Sequence, residues 1–246
     1  MRFCLILQLK ENILPIEYRK VILSYIKNAI SKCNNGKYYE EFFKDTKQKD
    51  YCFSVILPKS KFIKDKIILD GNEIRIFFST DNNRMGFILY NAFIAQKNKQ
   101  YPLPNNNFMI LKSIKNHKRE EIYNNKVIFK TTLGSGLCVR DHDIETNKDI
   151  YYVYSDERFR EKLKIVLTNQ LLNAGFTKKE AEEVKVNPIQ CKNVVVKHYR
   201  RYIDTTIGIF EVQANNRILQ HFYDVGMGSR HSMGFGMIDL VTQDLV

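Results

Sequence analysis

Residues Arg2 to Leu9 alternate, with Phe3, Leu5, Leu7 and Leu9 on one face, which is the period of a half-buried strand. Beyond Pro15, a residue suited to a first helical turn, Ile22, Ile26, Ala29, Ile30 and Cys33 recur at helical spacing until Asn34-Asn35-Gly36 ends the pattern. Tyr51 to Leu57 and Ile67 to Thr80, the latter broken by Asp70-Gly71, read as strands. Asp81 is placed to cap a helix carrying Met85, Leu89, Ala92 and Phe93 on one side, and Phe108 to Ile114 supplies a last extended stretch. Strand, helix, strands, helix, strand is the order of a split βαβ or ferredoxin-like unit.

A polar, charged stretch from Asn116 to Glu121 follows, and then the order begins again. Val127 to Thr132 and Tyr151 to Tyr154 are predicted extended, and Ser155 is predicted to cap a helix with the stripe Phe159, Leu163, Val166, Leu167 and Leu171, closed by Gly175. Thr177-x-x-Glu180 predicts a short capped helix, and Val186 to Val212 a long hairpin with its turn near Asp204-Thr205. Asn215 to Tyr223 predicts a final helix with Ile218, Leu219 and Phe222 inward, and Phe235 to Val241 a closing strand. The expectation is an α+β chain of two tandem ferredoxin-like, RNA-recognition-type domains, residues 1–115 and 122–246, sharing element order but no obvious sequence similarity.

Composition narrows the function class. Of 246 residues, 44% are hydrophobic and 27% charged, which excludes a disordered or fibrous chain. The longest apolar runs, Phe3 to Leu9 and Phe87 to Ala95, fall far short of the roughly 20 residues of a membrane helix, and Met1-Arg2-Phe3 leads straight into a strand. Neither a signal peptide nor a membrane partner is expected. Five cysteines without a C-x-x-C pair suggest no disulfide framework and no four-cysteine zinc site, so a cytoplasmic, reducing compartment is expected. Lys plus Arg number 39 against 27 for Asp plus Glu, a net +12, which is the balance of a polyanion binder. A solubility charge spread evenly over the surface is the alternative.

The most specific motif is Gly226-Met-Gly228-Ser229-Arg230-His231-Ser232-Met-Gly234-Phe-Gly236, between the final helix and the closing strand. Such a loop can aim backbone N–H groups at phosphate oxygens while Arg230, Ser229 and Ser232 add side-chain donors. A dinucleotide fingerprint needs glycine where His231 stands, and a phosphate-binding P-loop needs Gly-Lys-Ser/Thr at His231 to Met233, so neither nucleotide-cofactor motif fits and no cofactor is expected. A tight loop whose glycines only satisfy turn geometry is the other reading.

This motif, after a helix ending Phe222-Tyr223-Asp224-Val225 in a basic chain, resembles the C-terminal signature of the CRISPR-associated endoribonucleases that cut repeat RNA into guide units. The Met1-Arg2-Phe3 opening strand, Tyr51-Cys52-Phe53-Ser54 and Gly208-Ile209-Phe210 are similar to the same family. The resemblance implies two ferredoxin-like domains, CRISPR repeat RNA as partner, and metal-independent cleavage in which the RNA's own 2′-hydroxyl attacks, leaving a 2′,3′-cyclic phosphate. It also implies a catalytic histidine between the first helix and the Phe-Ser strand, supported by a tyrosine and a lysine. No histidine precedes His117. The segment that would hold it runs from Lys37 to Lys49, and Lys49 falls at about the family's lysine position. The catalytic candidates are therefore Lys49, Lys27 on the first helix, and Tyr39 or Tyr38; a solvated helix face and loop is the alternative for each.

His231 in the loop and His198 in the basic strand are placed to touch RNA, whereas His221 and His117 read as structural or exposed. Asp141-His142-Asp143 is the one compact set of metal-type ligands, but three adjacent residues in a polar loop rarely point at one ion, and no metal is expected. Lys192, Lys197, Arg200 and Arg201 interleave with His198, Tyr199 and Tyr202 in a segment suited to phosphate contacts plus base stacking, or to a charged edge strand that resists aggregation. Two functions remain open: a repeat-RNA endoribonuclease, or a relative that only binds repeat RNA. Association with a CRISPR effector complex, and a monomeric or homodimeric state, are compatible with both.

Overall fold

The structure, a computed structural model, describes residues 1–43 and 49–244. Its first half builds β1 (Arg2–Leu9), α1 (Tyr18–Lys32), β2 (Cys52–Ile56), β3 (Glu73–Ser79), α2 (Asn83–Ile94) and β4 (Asn107–Asn116). The strands lie antiparallel in the order β2-β3-β1-β4, with a short outer strand, Gln100–Leu103, beside β4. The second half repeats the plan with β5 (Lys126–Thr131), α3 (Phe159–Asn173), β6 (Lys185–His198), β7 (Arg201–Gln213), α4 (Asn216–Val225) and β8 (Ile238–Thr242), ordered β6-β7-β5-β8. Second, third, first, fourth is the same strand order in both halves, so the chain is a tandem ferredoxin-like fold.

Alternation does what its period dictates. Phe3, Leu5, Leu7 and Leu9 of β1 are buried against Ile22, Ile26, Ala29 and Ile30 of α1 and Leu89, Ala92 and Phe93 of α2. Phe78 from β3 sits at the centre, its ring 5.5 Å from that of Phe3 and 5.0 Å from that of Phe93. In the second half Phe129, Phe210 and Val212 of the sheet pack with Leu163, Leu167 and Leu171 of α3 and Ile218, Leu219 and Phe222 of α4. Each such side chain contributes about 1.5–3 kcal/mol by leaving water. The Asn215 side chain caps α4 by accepting from the Ile218 amide at 2.9 Å, and Thr177 and Glu180 form the reciprocal box predicted for them.

Four local expectations are corrected. Asn82, not Asp81, caps α2, its Oδ1 accepting from the Met85 amide at 3.0 Å. Ser155 does not cap α3, which begins after Arg158 without a side-chain cap; the Ser155 hydroxyl accepts from Asn193 instead. The β6–β7 hairpin turns at Tyr199-Arg200, where His198 pairs with Arg201, and not at Asp204-Thr205. Both turn residues hold positive φ, 49° and 62°, as a tight two-residue hairpin demands, although neither is glycine or asparagine. Finally, Lys66–Leu69 leaves the main sheet to pair with Ile13–Pro15 and Ser60–Phe62 in a small separate sheet.

The halves are joined by buried polar contacts as well as by chain. Arg2, 7% exposed, donates to the Ile238 carbonyl at 2.9 Å and to Asp239 at 2.8 Å while its guanidinium covers the Tyr223 ring. From β2 the Ser54 hydroxyl donates to the Leu133 carbonyl, and from α1 Arg19 donates to the Gly134 carbonyl at 2.7 Å. No helix among the described residues is long and apolar enough to cross a membrane.

Candidate nucleic-acid interface and cleavage site

The glycine-rich loop is folded inward between α4 and β8. Gly226, Gly228 and Gly234 are buried with φ of +88°, +94° and +86°. A Cβ on Gly228 would stand 2.6 Å from Leu137 Cδ1 and 2.7 Å from the Cys138 carbonyl oxygen, and one on Gly234 would stand 2.9 Å from the Phe53 ring. These positions need glycine because protein atoms come this close.

The polar members of the loop divide. Ser229 and Ser232 are half-buried, and the Ser229 amide donates to the Cys138 carbonyl at 2.7 Å. His231 is 4% exposed, and burial pushes its imidazole down to about 4, so it is a neutral ring of the interior. Arg230 donates at 2.9 Å to both Asp149 and the Tyr151 hydroxyl. Burial alone would raise the Asp149 carboxyl, but hydrogen bonds from Arg140, His142 and Tyr151 and the Arg140 charge outweigh it and hold the group well below the usual carboxylate range. Arg230 is thereby fixed beside the surface by an ionised partner.

On the β6–β7 arm Lys192, Arg200 and Arg201 are exposed and Lys197 is half-buried. Tyr199 and Tyr202 are 47% and 67% exposed, leaving aromatic faces among these cations. His198, in contrast, is 1% exposed, its ring edge-on to those of Tyr199 and Phe235 at 4.6 and 5.7 Å. Burial, helped by Arg19 and Arg230, pushes it down to about 4. The arm's tip rests on the start of α1: the Arg200 amide donates to Glu17 at 2.7 Å, and the Lys20 ammonium stands 5.6 Å from the Tyr199 ring centroid.

In the first half, Lys27 and Tyr39 come together on Phe43. The Lys27 ammonium lies 5.3 Å from its ring centroid and the Tyr39 ring at 5.3 Å, with both residues exposed. Tyr38 lies between Lys37 and Arg84. Of the segment Lys37 to Lys49, residues 44–48 lie outside the described ones. Lys49 is half-buried and immediately precedes Asp50, which lines a cleft of about 670 Å³ between the halves.

That cleft carries groups that sequence reasoning set aside. Asp81 Oδ2 lies 2.7 Å from Nδ1 of His221, which joins the start of α2 to α4. His221 is 9% exposed and its covered Nε2 has no hydrogen-bond partner among the described residues, while the Phe176 ring stands edge-on at 5.5 Å. Arg217, exposed, and Arg119 supply positive charge; Arg119 grips the buried Asp224 carboxylate with bonds of 2.8 and 2.6 Å. Asp81 and His221 are 140 positions apart, so no local pattern could pair them.

Asp141, His142 and Asp143 lie in a strand, Val139–Asp143, and not in a loop. They face separate partners: Asp141 accepts from Lys162, His142 meets Asp149, and Asp143 accepts from Thr146. Among the described residues no three His, Cys, Asp or Glu side chains are grouped to hold a metal ion.

Residues 115–240, which contain β5 to α4 and the glycine-rich loop, match the family model described as CRISPR associated protein Cas6, C-terminal. A curated relative, the CRISPR-associated endoribonuclease Cas6 1 of Methanocaldococcus jannaschii, is 24% identical over 92% of this chain and 87% of its own. A solved Cas6-related protein from Pyrococcus furiosus superimposes with a TM-score of 0.81 at 20% identity, covering 99% of both chains. A second structure, described as a RAMP protein binding different RNA substrates, gives 0.80 at 21% identity over 98% of this chain and all of that one. The chain belongs to the Cas6 family.

Proposed function

We propose that this protein binds CRISPR repeat RNA and cleaves it in the cytoplasm, without metal, by attack of the RNA's own 2′-hydroxyl, giving a 2′,3′-cyclic phosphate and a 5′-hydroxyl. What carries the reading is membership of a family in which a relative aligned over most of both chains is named an endoribonuclease. The net charge of +12 and the exposed cations and tyrosines of the β6–β7 arm supply phosphate contacts and stacking faces of the kind RNA needs. In this reading residues 1–115 and 122–246 act as two units. Lys192, Lys197, Arg200, Arg201 and Arg230 hold the RNA, and Lys49 places positive charge against the developing phosphorane. Lys27 and Tyr39 contribute from the surface around Phe43.

One observation favours a second reading, a protein that binds repeat RNA without cutting it: no histidine occurs in the first 116 residues. Incubation with a panel of labelled CRISPR repeats separates the two. The first predicts specific cut products; the second predicts retarded but intact RNA; neither binding nor cutting contradicts both.

A further inference from the structure

Resting on the endoribonuclease reading, we propose that His221, oriented by Asp81, is the base that takes the proton from the attacking 2′-hydroxyl, and that the cleft between the halves is where the scissile phosphate lies.

Four observations converge on that place. The Asp81 carboxylate lies 2.7 Å from Nδ1, so the tautomer it favours carries its proton on Nδ1 and leaves the Nε2 lone pair as an acceptor. A carboxylate, an oriented imidazole and an unprotonated second nitrogen are the parts of a histidine general base. Nε2 is buried and has no partner among the described residues, leaving an acceptor that a hydroxyl donor would satisfy. Arg217, exposed, lines the same cleft and offers charge to a phosphate. Among the described residues the first half offers no histidine before His117, whose ring instead packs edge-on against Phe77.

Access has a specific requirement. Nε2 is covered, so the groups packed over it must give way for a nucleotide to reach it. The step then balances as follows. The 2′-oxygen forms a bond to phosphorus and its proton passes to Nε2; the bond from phosphorus to the 5′-oxygen breaks, and that oxygen leaves with a proton from solvent. The imidazolium returns its proton to solvent, and no water is consumed. A tie between the halves that serves folding alone is the competing role for the pair.

The test uses the full chain and a repeat RNA that it cuts. His221→Asn keeps an N–H donor to Asp81 but removes the base, so it should fold, bind RNA within about twofold of the parent, and cut about a hundredfold more slowly or worse in single turnover. His221→Ala should lose cutting similarly and regain part of it on adding imidazole, which a purely structural role would not allow. His221→Asn cutting at the parent rate, or an Ala variant indifferent to imidazole while His221→Asn still cuts, overturns the assignment. A parent protein that cuts no repeat refutes the endoribonuclease reading itself, and the assignment with it.

Discussion

Gly228 holds φ at +94° against Leu137 and Cys138, a position where both backbone conformation and space exclude a side chain. Gly228→Ala should therefore cost about 2–4 kcal/mol of stability through overpacking and backbone strain, read as a lower unfolding midpoint. A variant as stable as the parent would show that the loop yields easily. Buried histidines give a second residue-level expectation. Burial lowers His198 and His231 from 6.5 to about 4, so the unfolded chain takes up protons first as the solution is acidified. Stability contributed by the neutral rings is complete above about pH 6.5 and is lost from there down to about 4, at about 1.4 kcal/mol per ring per pH unit. Urea midpoints that fall between pH 7 and 5, less steeply in His198→Leu, agree with this; flat midpoints do not. The glycine motif was visible in the sequence, but its reason was not, because Phe53 and Leu137 reach it from 181 and 91 positions away (234 − 53 and 228 − 137).

Among the elements, the β6–β7 arm carries exposed Lys192, Arg200 and Arg201 beside exposed Tyr199 and Tyr202. If Lys197, Arg200 and Arg201 each neutralise a phosphate, their joint replacement by alanine should flatten the slope of log affinity against log salt by about two to three units. An unchanged slope would leave these charges to solvent. The arm's strands were legible because extended β-branched and aromatic runs leave few alternatives over Val186 to Val212. Its turn was not, since Tyr199 and Arg200 occupy left-handed conformations usually reserved for glycine or asparagine, and Asp204-Thr205 offered the commoner signal. The arm tip is held by the Arg200 amide's bond to Glu17 and by Lys20 over the Tyr199 ring. The same limit hid the small sheet of Ile13–Pro15, Ser60–Phe62 and Lys66–Leu69, whose three- and four-residue strands carry too few positions to show a period.

At the scale of the molecule, repetition of one strand order was legible because alternation and helical spacing change over at the same points in both halves. How the halves meet was not, since the contacts that fix it are single polar groups: Arg2 on Asp239, Arg19 on Gly134, Asp81 on His221. That arrangement forms a cleft lined by Asp50 and Asp81 from the first half and His221 from the second. The central claim, that the RNA supplies the nucleophile and the protein supplies charge and proton transfer, has one direct measurement. A labelled CRISPR repeat is incubated with the protein in excess chelator, once with all riboses intact and once with a single 2′-deoxy sugar at the cut site. The account predicts cutting of the first to a 2′,3′-cyclic phosphate and none of the second. Cutting of the deoxy substrate at the same site, or cutting that stops in chelator and returns with magnesium, would contradict it.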